Sequence, residues 1–225
     1  LETQTSGFDN LSDLIIHLNK ELNLISDKLE KLSLKIRKNR FASIDTIREN
    51  ILSTLSQLGM ENSQLMIQLN ETSDFTLTGK DEVLFLFSAN KGMEPRVFEK
   101  SVSGGERSRL MLAIKKLLAT HQHLPTLILD EIDTGISGKV ANETGKVMQE
   151  MSQNMQLLVI THLPQVASKG NHQLKVYKEV VDETTKTNVK ELSQTERLSE
   201  IAQMISGSEL TDAALNQAKE LMNLN

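Results

Sequence analysis

Asp130 and Glu131 close the apolar run Leu127-Ile128-Leu129. An apolar strand that ends in adjacent carboxylates sets them at the carboxyl edge of a sheet, where α/β folds bind ligands. Asp130 suits a Mg²⁺ ion there, held directly or through water. Glu131 suits a general base or water-orienting group for attack on a phosphate. The same string also fits two acids in an ordinary loop. A second motif, Ser103-Gly104-Gly105-Glu106, precedes an apolar helix. Serine is an ordinary N-cap, and two glycines let backbone N–H groups approach an anion at the helix N-terminus. On its own this is equally a flexible capped turn. Third, Val159-Ile160-Thr161-His162 carries a histidine out of a buried strand. Such an imidazole can donate to a phosphate or a water, although a lone histidine is more often structural.

The three motifs gain weight from their order. The acidic pair begins 27 residues after Ser103, and His162 lies 31 residues after Glu131. That is the order of signature, Walker B and switch histidine in ABC-type ATPases. The segments SVSGGERSRLMLAIKKLL, TLILDEIDTGISGKVA and LLVITHLPQVAS closely resemble the RecN family. The run Asp130 to Gly138 is the most distinctive: transporters of the ABC class usually place Pro-Thr after the acidic pair and an aspartate where Ser137 stands. The resemblance extends from about residue 40 to the C-terminus, while residues 1–36 are alike only as coiled coil. Arg107 stands where many family members have leucine.

What this resemblance implies is the C-terminal part of an SMC-like ATPase of bacterial double-strand break repair and recombination. Its fold would be α/β: the C-lobe of an ABC-type head, a partly parallel sheet flanked by helices, plus an N-terminal coiled-coil helix. ATP and Mg²⁺ are the implied ligands. Asp130 would hold the metal and Glu131 and His162 would be catalytic, His162 sensing the γ-phosphate. Ser103, Gly104, Gly105 and Glu106 would close on an ATP held by a second head of the homodimer. Ser137 and Gly138 would lie in the loop at that interface. ATP between two heads would engage them and hydrolysis would release them. No Gly-x-x-x-x-Gly-Lys-Ser/Thr match exists; Gly79-Lys80-Asp81 and Gly138-Lys139-Val140 are the nearest pieces. An N-terminal lobe carrying Walker A is therefore an expected partner, and this chain alone is expected to be inactive. DNA is an expected partner of the intact protein. The expected location is the bacterial cytoplasm, at the nucleoid, with no membrane contact.

The elements that must position these residues are also visible. Phe8, Leu11, Ile15, Leu18, Leu22, Ile25, Leu29, Leu32 and Ile36 average 3.5 residues apart over four heptads, the seam of a left-handed coiled coil. A second series, Ile44, Ile47, Ile51, Leu55 and Leu58, is shifted in phase. The helix is thus expected to rotate, bend or change partner near residues 37–43, and Gly59 to stop it. Residues 1–60 read as coil and neck, and 61–225 as the head lobe. Strands are expected at 64–69, 82–87, 126–129, 156–160 and 173–178, and helices at 104–120, 138–153, 195–205 and 210–223. The cluster Lys28, Lys31, Lys35, Arg37, Lys38 and Arg40 fits either a phosphate track or a solvated coil face.

Composition bounds the rest. The 225 residues hold no cysteine, which excludes disulfides and cysteine-based zinc sites. No stretch reaches the roughly 18–20 apolar residues of a membrane span. The net charge of −5 gives the whole chain no electrostatic draw to DNA, so any such contact must be local. A non-enzymatic module, a coiled-coil dimerisation element fused to an α/β domain, is the competing reading. An SMC-like chromosome protein or a transporter subunit would keep the ATPase chemistry.

Overall fold

A computed structural model describes residues 2–98, 103–122, 124–130, 132–133, 135–181, 184–207 and 209–224. It divides into two compact units, one of residues 1–48 and 65–86, the other of residues 49–64 and 87–225.

The first unit holds most of α1 (Glu2–Gln57) and most of the hairpin strands β1 (Gln64–Thr76) and β2 (Gly79–Ser88). The two apolar series predicted for residues 8–58 form one helix with no break at 37–43. What changes is the partner. Leu18, Leu22, Ile25, Leu29 and Leu32 are all exposed, whereas Ile51, Leu55 and Leu58 are buried. The seam side chains of Phe8 and Leu11 lie outside the described residues.

Unit 1 is tied together by charge. The side chain of Asp81 on β2 is buried, and both its oxygens are taken by α1: Arg37 Nη1 donates to Oδ1, and Arg40 Nη1 donates to Oδ2 at 2.9 Å. Arg40 also donates to the Thr78 carbonyl at 2.7 Å, and Lys80 pairs with Glu30 at 3.1 Å. One turn apart on the helix, the two arginines present their guanidinium groups to a single carboxylate. They are therefore not open to a phosphate track. Lys28, Lys31, Lys35 and Lys38 remain exposed and without an ion pair among the described residues.

The second unit carries α2 (Gly104–Gln122), β4 (Thr126–Asp130), α3 (Gly138–Met151), β5 (Gln156–Ile160) and α4 (Pro164–Ala167), with the short β3 (Arg96–Val97) before them. β4 and β5 run parallel, Thr126 opposite Gln156 and Asp130 opposite Ile160. Their inward residues join Leu58, Leu112, Val147, Met148, Met151 and Val166 in the main core. α3 approaches α4 so closely that a β-carbon on Gly145 would lie 2.9 Å from the Gln165 carbonyl oxygen, so glycine is required there by space.

β6 (Leu174–Val181) and β7 (Thr184–Glu191) form an antiparallel hairpin, followed by α5 (Gln194–Ser206) and α6 (Asp212–Leu221). β7 was not anticipated, because its sequence is almost wholly polar. The terminal helices share a small core of Ile201, Ala202, Ala214 and Ala218. Buried Arg197 donates to the carbonyls of Gly170 and Asn171 and so fixes the turn before β6. No helix among the described residues is long and apolar enough to cross a membrane.

α5 starts with a full capping box, Ser193 and Glu196 bonding each other's backbone N–H. The Lys190 ammonium bonded to Glu196, together with the Ser193 N–H and hydroxyl, pulls the Glu196 carboxyl down to about 2. A depressed folded value means that this contribution is complete above the ordinary value of 4.5 and is lost as pH falls through about 2. First-turn amides of α5 should thus lose exchange protection only in strong acid, and Glu196→Gln should weaken them at neutral pH. A Glu196 carboxyl that titrated in the ordinary range by NMR would contradict this.

Candidate nucleotide site

The parallel pair is built with one face in and one face out. Leu127, Leu129, Leu157 and Val159 turn into the core, with Leu129 wholly buried. Ile128, Leu158 and Ile160 lie on the other face and are 59, 42 and 59% exposed. Strands of a parallel sheet are normally covered on both faces. Asp130 follows the alternation of Ile128, so it stands on this open face beside Ile160. It is exposed and has no ion pair among the described residues.

The chain beyond each strand end builds the rest. After β4, Ile132 and Asp133 are both buried. Thr161, the first residue past β5, donates its hydroxyl to Asp133 Oδ2, and the Leu163 N–H donates to Thr161 Oγ1 at 3.0 Å. His162 swings outward, its side chain 75% exposed and its Nδ1 3.7 Å from Asp133 Oδ1. Asp133 and Thr161 lie inside the quoted motifs, yet the sequence assigns neither a role of its own, and only the fold reveals that Asp133 is a buried anchor.

The start of α2 meets the same loop. A β-carbon built on Gly135, whose φ is +74°, would lie 3.5 Å from Gly105 Cα. That φ favours glycine, and the bare backbone lets the two segments sit side by side. Ser103 and Gly104 are exposed, and nothing lies within 4 Å of a β-carbon on Gly104. Glu106 reaches back to accept from the Ser103 N–H at 2.9 Å, so that amide is already spent. The Ser103 hydroxyl is exposed, and the first-turn amides of α2 have no intrahelical acceptor. Ser137 is the N-cap of α3, with no side-chain cap bond, and Gly138 opens the helix with φ +55°. Both are exposed. Glu131 and Thr134 lie outside the described residues.

The donor set can be tested against the implied ligands. No group of three or more His, Cys, Asp or Glu could hold a metal among the described residues. A single carboxylate is what Mg²⁺ uses when phosphates and water fill its other positions. Asp130, standing free at a parallel strand's carboxyl end, fits that use and would not serve as an all-protein cage.

No protein-family model matches the chain. Curated relatives do. The DNA repair protein RecN of Haemophilus influenzae is 39% identical over 199 residues, 88% of this chain and 36% of that protein. RecN of Rickettsia prowazekii is 37% identical over 95% of this chain and 40% of its own length. The chain is RecN-like. It matches the C-terminal part of that protein and spans about two fifths of the relatives' length, 36 and 40% in these two. RecN of Vibrio cholerae, at 34% identity over 97% of this chain, agrees.

Solved structures extend the likeness to the fold. The Smc head domain with a coiled coil and joint from Pyrococcus yayanosii superposes with a TM-score of 0.59 at 19% identity, over 76% of this chain and 32% of that one. A chain described with ATP-driven dimerization of SMC ATPases gives 0.51 at 18% identity, over 76% of this chain and 99% of that one. The RecN-like chain thus has the ABC/SMC head fold, with helices flanking a parallel pair and antiparallel hairpins.

Proposed function

We propose that this chain is the C-terminal lobe of a RecN-type ATPase head acting in DNA double-strand break repair and recombination. The carrying observation is the open face of β4–β5. It leaves apolar Ile128, Leu158 and Ile160 uncovered beside the exposed carboxylate of Asp130. A second lobe bearing Walker A suits that face: it would cover the apolar side chains and bring phosphates to the carboxylate. The curated relatives, which are more than twice as long, have room for it.

Asp130 would hold Mg²⁺, which neutralises charge on the phosphates when bound. Glu131 orients and deprotonates the attacking water. His162, exposed at the end of β5, donates to the γ-phosphate. Ser103, Gly104, Gly105 and Glu106, with Ser137 and Gly138, form the surface offered to a second head. Its working donors are the Ser103 hydroxyl and the first-turn amides of α2, since Glu106 occupies the Ser103 N–H. The protein contributes position and electrostatics, which is most of what phosphoryl transfer needs. The head lobe comprises residues 61–225 and the coil and neck 1–60. Lys28, Lys31, Lys35 and Lys38 are the residues left for DNA phosphates, in a bacterial cytoplasm at the nucleoid.

ATP turnover and ATP-dependent dimerisation, measured with this chain alone and with a Walker A lobe added, test the reading. The chain alone should be silent, and the mixture should hydrolyse ATP in a Mg²⁺-dependent way. Silence of a verified two-lobe complex would instead favour a structural module.

A further inference from the structure

Asp133 is a buried carboxylate with unequal oxygens. Its side chain is only 2% exposed. Oδ2 receives the Thr161 hydroxyl, while Oδ1 is buried with no hydrogen-bond partner among the described residues. An unpaired buried carboxylate oxygen is costly, so this one calls for a donor. His162 Nδ1 stands 3.7 Å away, too far for a hydrogen bond as it lies. The ring is largely exposed, so a small torsional change can close the gap. Asp133 cannot move to meet it, because Thr161 holds its other oxygen and the Leu163 N–H holds Thr161.

We propose that Asp133 is a positioning residue for His162. Its Oδ1 accepts from Nδ1–H and so aims Nε2 at the open side of the site. A ring bonded in this way keeps its proton on Nδ1 when neutral, whereas the partner of one nitrogen decides the role of the other. To bridge Asp133 and a phosphate oxygen the ring takes one further proton from solvent onto Nε2, so that each nitrogen donates to one anion. The acid past the Walker B pair thus acts through the histidine of the neighbouring strand. Thr161 sets the carboxylate's rotation. This rests on the reading of His162 as a nucleotide-site residue.

The test uses the intact protein with ¹⁵N-labelled histidine rings, the His162 signals assigned by their loss in His162→Gln. The neutral wild-type ring should be protonated at Nδ1. Asp133→Leu should move the proton to Nε2, the form favoured in water. Asp133→Asn keeps one carbonyl oxygen, which the Thr161 hydroxyl claims at the Oδ2 position, so its NH2 faces Nδ1 as a donor and the proton should again sit on Nε2. ATP turnover should fall about tenfold or more in Asp133→Leu, as for other groups that orient a working side chain, with KM for ATP near wild type. A neutral wild-type ring protonated at Nε2, or a tautomer unchanged in Asp133→Leu, overturns the proposal. If Asp133→Leu does not fold, the wild-type and Asp133→Asn spectra still decide it. If His162→Gln leaves turnover unchanged while the ring is Nδ1-protonated, the nucleotide role of His162 fails and the positioning by Asp133 stands.

Discussion

Replacing Glu131 with glutamine in the intact protein is expected to lower ATP turnover by about 10²–10⁴-fold, the range for loss of a group that handles the reacting proton. The amide keeps the size of the carboxyl and its ability to hold a water, but it cannot take up a proton. Nucleotide binding should survive, because Asp130 and the phosphate-binding amides are untouched. ATP-dependent association of heads should persist for longer than in wild type, since in the proposed mechanism hydrolysis is the step that ends it. Single-turnover kinetics separate these effects. Turnover within a few-fold of wild type would remove Glu131 from the mechanism, and with it the assignment of its strand end as a hydrolytic site.

The second large effect concerns stability and has an asymmetric design. Arg37→Leu with Arg40→Leu should destabilise the hairpin of β1 and β2 by about 3–5 kcal/mol, the cost of stranding a buried charge. The Asp81 side chain is 2% exposed and would keep no cation facing its oxygens among the described residues. Asp81→Leu alone should cost less, because both arginines are about a quarter exposed and can turn to water. Combining all three substitutions should recover much of the loss. Hydrogen exchange across residues 64–86 reads each variant directly. Equal losses in the double and the single variant would show that the carboxylate is not the sensitive partner.

Much of this molecule is legible in the linear sequence because its signals are periodic or local. The heptad series foretells a long helix, and the pairing of apolar runs with terminal acids foretells a parallel sheet edge. Ser103-Gly104-Gly105-Glu106 announces a helix start by local backbone chemistry alone. The features that escape are those created by distance. Asp81 meets Arg37 and Arg40 across more than 40 residues, and in sequence those arginines belong to an undifferentiated basic run. Asp133 belongs to the distinctive Asp130–Gly138 run, but its role is invisible until Thr161 is seen to hold it. β7 has no apolar alternation because it buries no face: every residue of it is exposed or half-exposed, and the hairpin's Val176, Val180 and Val189 face solvent. The phase shift along α1 is real, yet its cause is a change of neighbours and not a break in the helix.

The two-stranded parallel sheet has a consequence for handling the chain. Among the described residues β4 and β5 pair only with each other, so neither has a second strand on its outer edge. Those edges border the bare isoleucines. A polypeptide with free strand edges next to apolar side chains is a template for strand addition and aggregation. Purified without the proposed Walker A lobe, the protein should be soluble only when dilute. Co-expression with that lobe should raise the soluble yield more than any change of buffer, because it would cap the edges and the face together.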